Sequence, residues 1–266
     1  MTPIFDSERI VALCGHAASR VLIRIVTETA STNTDLLAGL NAESVPTLLI
    51  AETQTAGRGR AGRTWYSKAG AGLTFSLAWK FDCPVSALVG LPLASGVALA
   101  EALTGFGVHV RLKWPNDVLK NGKKLAGILI ETAAANESGK DAAWAVIGIG
   151  MNLSVPDSLE AQVGQDVADA PWLAQMDRNE LMASLLNALS EALLRFEKEG
   201  VGAFVERWNG FHAHTGQQVQ VVDAGRILYE GTARGVDASG YLSIDTVSGR
   251  VAVLAGDVSL RATGER

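Results

Sequence analysis

The spacing of apolar positions along the chain changes several times, and each change marks an element. Residues 7–20 carry a helical pattern, and residues 21–27 (Val-Leu-Ile-Arg-Ile-Val-Thr) a strand pattern. Thr32 and Asp35 stand at capping-box spacing before Leu36-Leu37, which predicts a helix over 33–40 capped by Thr32. Residues 47–52 form a continuous apolar strand and Leu73 to Phe81 an alternating one. Residues 86–104 read as a buried helix. Val108 to Trp114 is a strand that Pro115-Asn116-Asp117 turns. Val118-Leu119 and Leu125 to Glu131 make a hairpin around Asn121-Gly122. A further strand over 143–149 ends at Gly150-Met151-Asn152, and 154–176 is irregular. From Arg178 to Glu199 the residues Leu181, Leu185, Leu189, Leu193 and Phe196 fall on one helical stripe, stopped by Gly200.

After about residue 213 the pattern becomes short alternating runs. Val219 and Val221, Ile227 and Tyr229, Leu242 and Ile244, and Val251 and Val253 are separated by turn residues. That is a small all-β unit, read as a barrel. The fold class is α+β: a mixed domain over 1–212, followed by a β domain over 213–266.

Composition narrows the picture in a few places only. With 266 residues and 48% hydrophobic content, the chain can bury a core. A net charge of -5 argues against broad nucleic-acid binding. Cys14 and Cys83 make neither a disulfide framework nor a CxxC pair, and read as small buried hydrophobes in a reducing cytoplasm. The N-terminus lacks the features of a signal peptide. Residues 83–100 carry no charge, but Pro84, Gly90, Pro92, Ser95 and Gly96 interrupt them, so a core helix is expected rather than a membrane span. His16, His109, His212 and His214 show no metal-ligand spacing.

The densest chemistry lies at residues 57–63, Gly-Arg-Gly-Arg-Ala-Gly-Arg. Glycine lets backbone approach a ligand, and arginine supplies a permanent charge with a fork of donors. Gly57-x-Gly59-x-x-Gly62 matches the dinucleotide fingerprint literally, with Asp82 downstream. That fingerprint needs a helix directly after the loop, and here a strand begins within ten residues. The P-loop reading fails for want of that helix and of its lysine. What remains is a cationic loop between two strands, suited to enclosing a small anion and excluding water.

Six segments together resemble the biotin protein ligases. They are Ser31-Thr32-Asn33; Gln54 with Gly57-Arg58-Gly59-Arg60-Ala61-Gly62-Arg63 and Trp65; Lys113-Trp114-Pro115-Asn116-Asp117; Lys124-Leu125-Ala126-Gly127-Ile128-Leu129-Ile130-Glu131; Gly148-Ile149-Gly150-Met151-Asn152; and Ser259-Leu260-Arg261. Their order and spacing match over nearly the whole chain. The resemblance implies a catalytic domain related to class II aminoacyl-tRNA synthetases and a C-terminal SH3-like barrel. It also implies ATP-dependent joining of biotin, through biotinyl-5′-AMP and with Mg2+, to a lysine of a biotin carboxyl carrier protein of acetyl-CoA carboxylase. Ser31-Thr32-Asn33 begins only about 30 residues along, which leaves no length for the DNA-binding domain of some members, so the ligase-only form is expected. Ala61 stands where some members carry a fourth arginine. Members often pair through a sheet edge, so the resemblance allows a homodimer, which nothing in the sequence itself shows.

Carried onto this chain, the pattern implies that Ser31, Thr32, Asn33 and Gln54 face the biotin ring. Arg58, Gly59, Arg60, Lys124 and Gly127 would meet the rest of biotin and its carboxylate. Arg63, Trp65, Lys113, Asn116, Asp117, Asn152, Trp172 and Arg261 would surround the nucleotide. Lys124, Arg60 and Asp117 are the expected catalytic groups, and Gly148 and Gly150 are glycines within strands, where backbone near a ligand is expected. Two rivals are a lipoate–protein ligase and a biotin sensor without turnover; a DNA-binding repressor would need the missing domain.

Overall fold

The computed structural model describes residues 4–40, 45–135, 141–154, 167–223, 225–255 and 258–262. Seven strands form the larger sheet: β1 (Leu22–Thr29), β2 (Thr47–Gln54), β3 (Gly72–Phe81), β4 (Arg111–Lys113), β5 (Asp117–Lys120), β6 (Lys123–Ala134) and β7 (Ala143–Asn152). Their spatial order is β1-β2-β3-β7-β6-β5-β4, with β1 and β2 parallel and every other neighbouring pair antiparallel.

Successive strand residues point to opposite faces, and that period sorts this sheet into two environments. Leu73, Phe75, Leu77, Trp79 and Phe81 of β3 join Ala145, Ile147, Ile149 and Met151 of β7 in the main core. The helices α1 (Ser7–Leu13), α3 (Leu91–Gly105) and α5 (Arg178–Glu199) cover that face. On the opposite face, Ala78, Trp144, Val146 and Leu49 pack under Leu36 and Leu40, from and just after α2 (Thr32–Gly39). Further along the same face the apolar residues give way to Thr74 and Ser76 on β3 and to Gly148, Gly150 and Asn152 on β7. α2 reaches this stretch only with the side chains of its first turn, and a cleft opens there.

The second sheet contains β8 (Gln218–Asp223), β9 (Arg226–Val236), β10 (Leu242–Thr246), β11 (Gly249–Val253) and β12 (Val258–Ala262), in the antiparallel order β11-β10-β9-β8-β12. α6 (Val205–Phe211) leads into it. The side chain of Asn209 accepts from Val236 N at 2.7 Å and donates to Val236 O at 3.0 Å, and Ala213 N donates to Leu112 O at 2.9 Å. These bonds fix β12 relative to the first sheet, which matters for the cleft.

Several expected elements differ. The helix expected over 7–20 breaks after Leu13: Gly15 is extended and donates its N–H to Asn187 Oδ1 at 2.7 Å, and a 3-10 turn follows at His16–Ala18. The helix expected over 86–104 is a 3-10 turn at Val85–Leu88 and then α3, parted by Gly90 at φ 87°. Leu91, Val97, Leu99 and Leu103 of α3 are buried in the core. Within the stretch read as irregular, 155–166 lie outside the described residues, and Pro171–Gln175 forms the short helix α4. Both cysteines are half-buried rather than buried, and burial raises both thiol pKa values.

His212 and His214 are buried beside Trp208 at this junction. Burial first, and the His214 ring second, push His212 down from 6.5 to about 4. A depressed histidine favours the folded state while the unfolded chain's imidazole is neutral. That contribution is complete above about pH 6.5 and is lost as pH falls toward 4, on the order of 3 kcal/mol at most. Urea unfolding of wild type and His212→Gln should therefore converge between pH 7 and pH 4.5. A wild-type advantage that stays constant over that range would contradict this account.

Candidate functional site

The cleft has a volume of about 1030 Å3 and lies between the open face of the first sheet and one strand of the second. β3, β6 and β7 form its floor through Ser76, Gly127, Gly148 and Gly150. The first turn of α2 closes one end, the loop from Arg58 to Tyr66 covers it, and β12 supplies a wall from Val258 to Arg261. Every site residue expected from the sequence lines this cleft except Trp172, whose side chain lies exposed on α4.

At the α2 end the polar groups form a buried chain. Ser31, not Thr32, is the helix cap, and its side chain accepts from Thr34 N at 3.4 Å. Thr32 sits inside the first turn, which frees its hydroxyl to face the cleft. Gln54 Oε1 accepts from Thr32 N at 2.8 Å and from Thr32 Oγ1 at 3.0 Å. Thr32 Oγ1 lies 2.6 Å from Ser76 Oγ, and Ser76 Oγ donates to Asn33 Oδ1 at 2.6 Å. Both amide orientations are set by unambiguous partners: Gln54 Oε1 faces a backbone N–H, and Asn33 Nδ2 faces Glu131 Oε2 at 2.9 Å and Leu129 O at 3.3 Å.

The chain therefore runs between two amide oxygens through two hydroxyls. Each hydroxyl has one proton, and three contacts need one each. The buried array is one proton short, so an arriving N–H donor is favoured there.

The other end is cationic. Lys124 Nζ lies 2.7 Å from Asp117 Oδ1 and 5.8 Å from the Trp65 ring centroid. The lysine–aspartate contact has ion-pair distance without directed hydrogen-bond geometry, since that oxygen has no hydrogen-bond partner. Arg60 Nη1 donates to Asn116 Oδ1 at 3.1 Å and Nη2 to Val258 O at 3.5 Å, so the loop bridges the two sheets. Arg58 pairs with Glu131 and donates to Thr34 Oγ1 at 3.2 Å. Lys113, Arg63 and Arg261 also line the cleft, the two arginines exposed. Asn152 Nδ2 donates to Lys124 O at 3.3 Å, and Ala168 N to the same oxygen at 2.8 Å, which pins the backbone under the lysine. Among the described residues no three His, Cys, Asp or Glu side chains converge as a metal cage. Asp117, Asn116 and Asn152 are among the oxygen-bearing side chains that line the cleft near Lys124.

The glycines of β7 meet side chains of the site itself. A Cβ on Gly150 would fall 2.1 Å from the Trp65 ring, and one on Gly148 would fall 2.2 Å from Asn33 Oδ1. Ser76 lines the cleft and Glu131 backs it through Asn33 and Arg58; neither was assigned by sequence. Ser76 interrupts an apolar strand at the same parity as Thr74, which is the signal that points to it. Glu131 shares the parity of Gly127 and Leu129 on β6.

A mixed sheet with a cleft that joins a buried acceptor chain to a cationic lid defines a small-molecule enzyme site that handles an anion. Comparison with known proteins specifies which. Residues 25–152 match the Biotin/lipoate A/B protein ligase family, and residues 214–261 match the Biotin protein ligase C terminal domain. The Mycobacterium tuberculosis biotin–[acetyl-CoA-carboxylase] ligase is 34% identical over 256 residues, 92% of this chain and 91% of that one. The Escherichia coli bifunctional ligase/repressor BirA is 35% identical over 239 residues, 87% of this chain and 72% of that one. The Aquifex aeolicus biotin protein ligase in complex with biotin and ATP aligns with a TM-score of 0.73 at 29% identity, over 91% of this chain and 99% of that one. The chain belongs to the biotin protein ligase family.

The Trp65–Gly150 contact has a direct test. Gly150→Ala should cost about 1–3 kcal/mol of stability by overpacking, and Trp65→Ala in the same chain should recover most of it. Strictly additive losses in chemical denaturation would mean that the indole is not what excludes a side chain.

Proposed function

We propose that this protein is an ATP-dependent biotin–protein ligase. A carboxylate oxygen of biotin attacks the α-phosphorus of ATP, pyrophosphate leaves, and biotinyl-5′-AMP forms. The ε-amine of a lysine on a biotin carboxyl carrier protein then attacks the acyl carbon. AMP leaves with the bonding electron pair, and an amide results. The observation that supports this most is that one cleft holds an array short of a proton at one end and a set of cations at the other. The ureido ring of biotin brings two N–H donors, whereas the dithiolane ring of lipoate brings none, which favours biotin.

The first step opposes two anions. Unit charges about 4 Å apart repel by roughly 4 kcal/mol at an effective dielectric near 20, and ATP carries several. Arg60 and Lys124 act on the carboxylate and α-phosphate, with Arg58 and Gly59 along biotin. Arg63, Lys113 and Arg261 act on the nucleotide phosphates, and Trp65, Asn116 and Asn152 enclose the nucleotide. This is catalysis by position and fixed charge, and the same cations disfavour a sensor that only binds.

Lys124 and Asp117 hold each other. Anionic substrates draw the ammonium toward themselves and leave the carboxylate able to orient the carrier lysine. That lysine, with a pKa near 10.4, costs about 4–5 kcal/mol to deprotonate at neutral pH. Mg2+ fits as a cation delivered on the triphosphate, because the cleft offers a few oxygen donors rather than a cage. Trp172 would serve the adenine only if α4 approached the cleft.

The finer architecture belongs to the same reading. The first domain, 1–212, is related to class II aminoacyl-tRNA synthetases, and the second, 213–266, is an SH3-like barrel. The two family matches and the two separate sheets support this division. A cytoplasmic setting and a homodimer are compatible with it.

Biotin-dependent exchange of labelled pyrophosphate into ATP is the decisive assay. Exchange with biotin and not with lipoate is expected, and biotin binding without exchange would mark a sensor. Lys124→Ala should lower the exchange rate at least about a hundredfold with the fold intact. Asp117→Asn should slow transfer from preformed biotinyl-AMP more than adenylation, and equal slowing would remove Asp117 from the second step.

A further inference from the structure

Glu131 stands behind the cleft lining, at the parity of Gly127 on β6, with two oxygens committed to two different lining segments. Oε1 pairs with Arg58 of the loop, and Oε2 accepts from Asn33 Nδ2 at 2.9 Å. The second bond decides which way the Asn33 amide faces. With its NH2 held by a carboxylate, Asn33 presents Oδ1 to Ser76 at 2.6 Å. Were the amide turned over, Nδ2 would donate to Ser76, Ser76 to Thr32 and Thr32 to Gln54. Three contacts would then have three protons, and the demand for an external donor would vanish.

We propose that Glu131 is the positioning residue that sets ring specificity. By fixing Asn33 it keeps the Gln54–Thr32–Ser76–Asn33 array bounded by acceptors, and so selective for a ring that brings N–H donors. The inference rests on the reading of the cleft as a biotin site. It adds a residue that touches no substrate, and it explains why a carboxylate sits among groups that recognise a neutral ring. The bond from Asn33 Nδ2 to Leu129 O, at 3.3 Å, favours the same orientation but is the longer of the two.

Glu131→Gln isolates the effect because it is nearly isosteric. The glutamine has one acceptor oxygen. The Arg58 guanidinium claims it, since a charged donor outcompetes a neutral amide. The glutamine NH2 then faces Asn33, whose amide must turn over. The test uses biotin and a cyclic carbamate analogue in which one ring N–H is replaced by oxygen, with binding followed by calorimetry and adenylation by pyrophosphate exchange. Wild type should prefer biotin by about tenfold or more. In Glu131→Gln the affinity for biotin should fall about tenfold and the preference should drop below about threefold, with kcat at saturating biotin within about threefold of wild type. Glu131→Asp, which has no donor to present, should restore the preference. Unchanged discrimination in Glu131→Gln overturns the assignment while leaving the ligase reading in place. So does a loss of kcat alike for both ligands, which would mark a merely structural role. No binding of biotin by wild type takes down both.

Discussion

The period of two along β3, β6 and β7 is the constraint on which the rest depends. It sends one set of residues into a core of Phe75, Leu77, Ile147 and Ile149 and the other set to the opposite face. On that face α2 covers only part of the sheet, over Ala78, Trp144 and Val146. Beyond the helix the same parity carries Ser76, Gly148 and Gly150, and missing side chains become a floor. A one-residue slip in any of these strands would put large apolar side chains in the cleft and small or polar residues in the core. The rigidity of the site is therefore inherited from the most buried part of the molecule.

Above that floor, two kinds of electrostatics are kept apart. At the α2 end, neutral dipoles are buried and hydrogen-bonded: Thr32, Asn33, Gln54 and Ser76 are all nearly inaccessible. Misdirecting any one of them strands a buried polar atom. At the other end the charges are partly exposed, and three of the basic groups are held by acidic or carbonyl partners: Lys124 by Asp117, Arg58 by Glu131, and Arg60 by Asn116 and Val258 O. Arg60 is held by neutral carbonyl oxygens, so its charge is positioned without being cancelled. The first end reads shape and donor pattern, and the second manages charge.

Arg60 also links the first sheet's β4–β5 turn to β12 across the cleft, Asn209 holds α6 to β9, and Ala213 N bonds Leu112 O of β4. The β12 wall is thereby held beside the loop, so Arg261 belongs to the site although it lies more than a hundred residues beyond the next nearest cleft residue of the first sheet.

Much was legible in the chain. The strands Leu73–Phe81 and 143–149, the hairpin at Asn121-Gly122 and the helix from Arg178 were readable because local period and turn chemistry act over a few residues. The glycine-arginine loop declared its charge for the same reason, and the resemblance identified the cleft's chemistry. Tertiary contacts decided what local pattern leaves open. Asn187 holds Gly15 extended just after the first helix ends at Leu13. Gln54 and Ser76, from two strands, take Thr32 away from capping. Trp65, rather than open space, occupies the room over Gly150, and Trp172 faces solvent. The sequence alone determined which residues carry charge, which lack side chains and where the period holds. Only the folded chain decided which hydroxyl meets which amide, because a hydrogen-bond partner 98 positions away, as Glu131 is from Asn33, leaves no trace in local spacing.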